Sequence, residues 1–211
     1  MKGQGATHSS QAGFTLNEFL FVLLIIMVLI SIGGPRLYSA KQAAQEAQVR
    51  QIANSFATAL MLVRSKWELE GRNAQFGKNS VLYDNLRLYL TTPESPRTGI
   101  QAGNLVDVAG EREVNVAPHA ITADSCQKMW HALLEHPPLI SASLAELNQA
   151  GNNAQFFVIA QRRGLDSACH YYPVGGLSKL AGQYQDPHES TDAIVSFSYR
   201  PASGQVITHV K

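Results

Sequence analysis

Residues Phe19 to Ile32 form a run of apolar side chains broken only by Ser31, inside a longer segment, FTLNEFLFVLLIIMVLISIGGP, that extends from Phe14 to Pro35. Its 22 residues are close to the roughly 20 a helix needs to cross a bilayer. A polar stretch, MKGQGATHSSQAG, precedes it. Behind it GGPRLYSAKQAAQEAQ continues with helix-forming residues and no convincing small-x-small cleavage site, unlike a conventional secretory signal. Farther along, Ile52, Phe56, Leu60, Val63 and Trp67 are spaced by four, four, three and four, which is one stripe of an α-helix, with Gly71 as its stop. A continuous helix from Phe14 to Glu70 would be about 85 Å long at 1.5 Å per residue, more than a domain of this size can cover. The pattern predicts an amphipathic half that packs on a sheet and an apolar half that protrudes and needs a membrane or neighbouring subunits.

Beyond Gly71 the pattern is less regular. Gly71 to Pro118 reads as an irregular connector, with Leu82, Leu86 and Leu90 predicting a short helix and TTPESPRTGIQAG a loop. Leu105–Val108 and Glu113–Val116 are expected to pair around Ala109-Gly110 as a small hairpin. Asp124, with Gln127 three residues on, reads as the opening of a second helix whose apolar face is Cys126, Met129, Trp130, Leu133 and Leu134; Pro137-Pro138 ends it. Ser143 with Glu146 is a further capping pair, closed by Gly151. Four segments rich in β-branched and aromatic residues then read as strands: Gln155–Gln161, Ala168–Val174, Ile194–Tyr199 and Gln205–Val210, with Ala202-Ser203-Gly204 turning between the last two. The expected fold class is α+β, a long N-terminal helix packed by its amphipathic half on an antiparallel sheet of about four strands.

Composition narrows the chemistry. The 211 residues carry 17 basic and 16 acidic side chains, so net charge supplies no general attraction for nucleic acid or an acidic substrate. The two cysteines, Cys126 and Cys169, lack the C-x-x-C spacing of metal sites; in an exported chain they read as one disulfide, otherwise as two buried thiols. His131, Glu135 and His136 lie close in sequence but without announced further ligands, and solvated helix positions explain them better. Gly175-Gly176 follows no phosphate-loop pattern, and no nucleophile elbow gathers Ser, His and Asp. Tyr171 and Tyr172 beside Arg162 and Arg163 are as well explained by sheet packing as by ligand stacking. No catalytic site, cofactor site or metal site is expected.

One residue sets the N-terminal segment apart from an ordinary anchor. Glu18 follows Asn17 near its start, and an ionisable group in a spanning helix is a functional hypothesis by default. Gly13-Phe14-Thr15-Leu16-Asn17-Glu18 ahead of an apolar run resembles the processing site of type IV prepilins and pseudopilins. The resemblance implies cleavage between Gly13 and Phe14 by a prepilin peptidase and N-methylation of Phe14. It places Glu18 where the family keeps its assembly glutamate and Pro35 where many members have a helix-kinking proline, here beside Gly33 and Gly34, which would ease local melting. It implies a pilin fold divided into a leader, residues 1–13; the apolar helix half, 14–35; the amphipathic half, 36–70; and a globular head, 71–211. It also implies a single pass of the bacterial inner membrane with a periplasmic head, incorporation into an extracellular pilus, and as partners other pilin subunits, the peptidase and the assembly platform. Charge counting is no help with orientation, since Lys2 stands before the segment while Arg36 and Lys41 follow it.

Within the class, CQKMWHALL followed by Pro137-Pro138 looks like minor pilins of the mannose-sensitive haemagglutinin type. Family members often carry a disulfide in the C-terminal half, which implies a Cys126–Cys169 bond worth about 4 kcal/mol on the chain-entropy account. The expected role is a structural subunit, a minor pilin by this likeness, contributing to attachment or surface motility. The alternatives are a pseudopilin of a type II secretion machine, for which Asp186, His188, Glu189 and Asp192 are the nearest calcium candidates, and an adhesin or DNA-uptake tip subunit presenting the polar loop 175–191. An anchored enzyme is the remaining class, and nothing in the sequence names a substrate for it.

Overall fold

A computed structural model describes residues 15–75, 77–92, 99–110, 117–188 and 195–210, with the side chains of 32–38 left aside. The chain divides into two units, Met1–Ala44 and Gln45–Lys211. The first helix, α1 (Leu16–Leu69), contributes to both. Its backbone stays helical through Gly33, Gly34 and Pro35. It ends as the sequence predicts: Gly71 adopts a φ of 82°, which glycine reaches without Cβ strain. The Gly71 N–H donates to Glu68 O at 3.2 Å and the Arg72 N–H to Trp67 O at 2.9 Å, the bond pair of a Schellman cap.

In the second unit, α1 buries Val49, Ala53, Phe56, Leu60, Val63 and Trp67. Val49 and Ala53 extend the stripe read from the sequence, while Ile52 is only partly buried. The segment read as an irregular connector instead forms an antiparallel sheet of β1 (Ala74–Gln75), β2 (Lys78–Tyr83), β3 (Leu86–Leu90) and β4 (Leu105–Val108), in that order. The helix expected from Leu82, Leu86 and Leu90 is therefore a β-hairpin. Its turn residues, Asp84 and Asn85, have φ of 48° and 63°, the left-handed pair that suits a two-residue hairpin turn. Leu88 and Leu90 are buried while Arg87 and Tyr89 beside them are only partly so, which is the two-residue alternation of strands; Leu82 and Leu86, next to the turn, are exposed. β4 pairs with β3; its expected partner, Glu113–Val116, lies outside the described residues.

α2 (Ala123–Leu133) is capped by Thr122, whose Oγ1 accepts from the Ser125 N–H at 3.1 Å. Asp124 thus sits inside the first turn rather than at the cap, and Gln127 donates to Ile140 O at 3.1 Å instead of closing a capping box. The short helix α3 (Leu144–Leu147) does start at Ser143, whose Oγ accepts from the Glu146 N–H at 3.4 Å.

The four C-terminal strands expected from the sequence are β6 (Phe156–Gln161), β7 (Ala168–Pro173), β10 (Ser196–Arg200) and β11 (Gln205–His209). They are antiparallel in the order β11-β10-β7-β6, and the short β5 (Ile140–Ser141) adds a fifth, parallel strand at the β6 edge. A hairpin of β8 (Lys179–Leu180) and β9 (Gln183–Tyr184) lies between β7 and β10 in sequence. Both α1 and α2 cover one face of the five-stranded sheet. The Phe56 ring lies 5.4, 5.7 and 5.8 Å from those of Tyr171, Phe197 and Tyr199, and Trp130 lies 5.0 Å from Phe156. Leu147, Phe157, Tyr172, Val174 and Leu177 form a smaller cluster on the other side.

Candidate functional site

The sequence places its functional residues at the start of α1. Gly13 and Phe14, the expected processing site, lie outside the described residues, as does the Pro35 side chain. Glu18 is described. Its backbone N–H donates to Thr15 Oγ1 at 3.4 Å, and the Phe19 N–H donates to Thr15 O at 3.1 Å. Thr15 is thus the N-cap and Glu18 the third helical residue, the T-x-x-E spacing of a capping box. A carboxylate in the first turn also opposes the positive end of the helix dipole. Its charge in the first turn gives the glutamate a local role that the sequence reading missed, although only the Thr15 half of the capping box is formed among the described residues. Among the described residues its carboxylate has no ion-pair or hydrogen-bond partner.

Behind Glu18 the helix shows no polar face. Phe19, Leu20, Phe21, Val22, Leu23, Leu24, Ile25 and the residues to Ile30 are all exposed in the single chain, from 37% at Leu23 to 67% at Phe21. Ser31 satisfies its hydroxyl internally by donating to Met27 O at 2.7 Å. A helix that is apolar all round requires burial in lipid or in other protein. Among the described residues no helix is long and apolar enough to cross a membrane. The stretch with described side chains ends at Ser31, and the apolar segment of the sequence reaches beyond it on both sides.

The other candidates separate in space. Cys126, on α2, and Cys169, on β7, form a disulfide with Cα atoms 5.7 Å apart, and both are fully buried. The Tyr171 hydroxyl donates to Cys126 O at 3.0 Å, so bond and ring tie the same helix turn to the same strand. No family model, curated protein or solved structure matches the chain.

Tyr171 is in the core and Tyr172 in the cluster on the other side, so the two do not form one stacking surface. Burial raises the Tyr171 hydroxyl well above its ordinary value; burial first, then the Asp186 charge, pushes Tyr172 up to about 12. Arg162 Nε donates to Ile121 O at 3.0 Å and is structural. His131 and Glu135 do not share a helix, because α2 ends at Leu133. Among the described residues no group of three or more His, Cys, Asp and Glu is placed to hold a metal ion. Asp186 Oδ1 accepts from the His188 N–H at 2.9 Å, while Glu189 and Asp192 lie outside the described residues.

One cluster was not legible in advance. His170 has its ring 5.5 Å from that of His188 and 6.4 Å from that of His209. His209 Nε2 lies 3.0 Å from Ser198 Oγ, whereas His170 Nε2 is buried without a partner among the described residues. Burial, and then the positive fields of His188, His209, Arg200 and Arg163, lower His170 to about 4. Burial and Arg200 lower His209 as well.

Proposed function

We propose that this chain is a structural subunit of a type IV pilus-like filament, a minor pilin whose precursor is cut between Gly13 and Phe14 and methylated at Phe14. The observation that carries the reading is the double character of α1. From Gln45 on it is an ordinary core helix laid on an antiparallel sheet, while Phe19–Ile30 present apolar side chains on every face behind a single acid in the first turn. Such a surface is stable in a bilayer and equally in a bundle of its own kind, which is what a subunit that moves from inner membrane to filament requires. The Glu18 carboxylate, without a described partner, supports pairing with the free Phe14 amine of an adjacent subunit. The α+β arrangement of long helix and antiparallel sheet is compatible with a pilin fold, and the Cys126–Cys169 bond agrees with export to an oxidising compartment. Attachment or surface motility is the corresponding role.

The test is the mass of the assembled subunit. Protein recovered from sheared surface filaments should begin at Phe14 and carry one added methyl group. Recovery only from membranes, with residues 1–13 retained, would refute the proposal.

A further inference from the structure

A cavity of about 600 Å³ lies between α1 and the start of β11. That is within the range of small-molecule sites. One wall is apolar, formed by Ala57, Leu60 and Met61 of α1 with Val206 and Ile207 of β11. The other end is polar and contains Arg64, Asn104 and Ser203.

The polar end is built rather than incidental. Asn104 is buried; its Nδ2 donates to Pro201 O at 2.9 Å, and its Oδ1 accepts from Arg64 Nη1 at 3.2 Å. These bonds fix the amide, and the amide in turn holds the guanidinium. Arg64 Nε donates to Glu68 Oε1 at 3.4 Å, which leaves Nη2 without a partner among the described residues. Ser203 Oγ is buried and also unpartnered among them, whereas the Arg64 side chain is 41% exposed. A buried hydroxyl without a partner calls for an explanation, and a bound acceptor supplies one. Gly204 lets the Asn104 amide pack closely against the turn, since a Cβ there would sit 2.5 Å from Asn104 Oδ1. The Tyr199 hydroxyl, by contrast, is committed to Leu105 O at 2.7 Å.

We propose that this cavity binds a small amphipathic carboxylate. One carboxylate oxygen takes the free Arg64 amino group and the other accepts from Ser203 Oγ, while the apolar tail lies along Met61, Val206 and Ile207. One guanidinium N–H and one hydroxyl suit the two oxygens of a carboxylate; a phosphate group would leave a third oxygen without a donor. The inference does not depend on the filament assignment.

The four methionines provide the assay. The full chain, labelled with 13C at the methionine methyl groups and held in lipid nanodiscs so that detergent does not fill the cavity, is titrated with octanoate. Met61 lines the site, Met129 is fully buried in the core and reports folding, and Met27 on the apolar stretch reports indiscriminate association. The Met61 methyl resonance, assigned with Met61→Leu, should move saturably while those of Met27 and Met129 stay in place. Arg64→Gln should weaken binding about tenfold, as should replacing octanoate by octanol, in keeping with the loss of a charge-assisted hydrogen bond. Ser203→Ala should weaken it by a smaller factor. Equal affinity for octanoate in Arg64→Gln with an unchanged Met129 signal overturns the proposal. So does equal affinity for octanol, or a Met61 response that follows protein concentration alone and so marks a second copy as the occupant. Should Arg64→Gln disturb Met129, Ser203→Ala and the octanol comparison decide the matter alone.

Discussion

Glu18 has two physical roles open to it, and substitutions at Thr15 and Glu18 separate them. If its task is only to sit third in a helix capped by Thr15, the cap is the sensitive element. Thr15→Ala then loses the acceptor that binds the Glu18 N–H at 3.4 Å, a loss of about 0.5–2 kcal/mol. Glu18→Gln would be nearly neutral, because glutamine serves at the same capping-box position. If instead the carboxylate pairs with an amine inside a subunit bundle, the order reverses. Glu18→Gln then leaves a buried amine without its counter-charge, which costs about 3–5 kcal/mol. At 1.4 kcal/mol per factor of ten, subunit incorporation falls about a hundredfold or more. Thr15→Ala frays one turn and should still assemble. The assay compares subunit recovered in sheared filaments with subunit retained in membranes, and circular dichroism checks that helix content is unchanged. Glu18→Val should follow Glu18→Gln, inserting normally and assembling poorly. Wild-type incorporation of Glu18→Gln together with failure of Thr15→Ala would refute the assembly role and leave a capping residue.

Three further outcomes follow from the packing. Gly103→Ala should destabilise by about 1–3 kcal/mol, since φ is 86° and the added Cβ would lie 2.5 Å from the Trp67 ring. Gly151→Ala, with φ of 83° but nothing within 4 Å, measures the backbone strain alone; equal losses in thermal melts would dismiss the ring contact. Reducing Cys126–Cys169, which closes a separation of 43 residues, should remove about 4 kcal/mol, and melts that coincide with and without reductant would contradict that. The folded His170 value of about 4 lies below the ordinary 6.5, so the unfolded chain takes up the proton first. Its contribution is therefore complete above pH 6.5 and is lost as pH falls towards 4, by about 1–2 kcal/mol once the ring's partial solvent access is allowed for. His170→Gln should flatten the decline of melting temperature over that interval, and parallel curves would remove His170 from the account.

Elements with a strong period or a full buried stripe were legible in the sequence. The amphipathic half of α1, its Gly71 stop, the inner face of α2 and the four C-terminal strands stand within a residue or two of their expected bounds. The failures share a cause. Leu82, Leu86 and Leu90 satisfy a helical spacing by coincidence, because a tight Asp84-Asn85 turn interrupts the run and resets the alternation. The short β1 and β5 have no period of their own and exist only by pairing with longer neighbours. At the start of α2, Asp124 resembled a cap, yet Thr122 has the extended backbone a cap needs, and one residue's φ and ψ are invisible in a sequence. The cavity beside Arg64 and the His170 cluster join residues far apart in the chain, through contacts that only the fold creates.

If the chain is the filament subunit proposed above, the apolar part of α1 cannot by itself select a filament over a membrane. Lipid tails and packed apolar side chains are nearly equivalent surroundings for leucine and isoleucine, so moving Phe19–Ile30 from one to the other changes little free energy. A discriminating group must prefer one of the two. An ionised acid near the end of the segment has that preference, because in lipid it must reach for the interface while beside a neighbour's amine it is compensated. In the proposed filament subunit one carboxylate would set the direction of transfer, and the apolar side chains behind it would set how firmly the subunit is held once it has moved. Shortening the apolar stretch should then weaken filaments and membrane retention together, whereas neutralising Glu18 should weaken filaments alone.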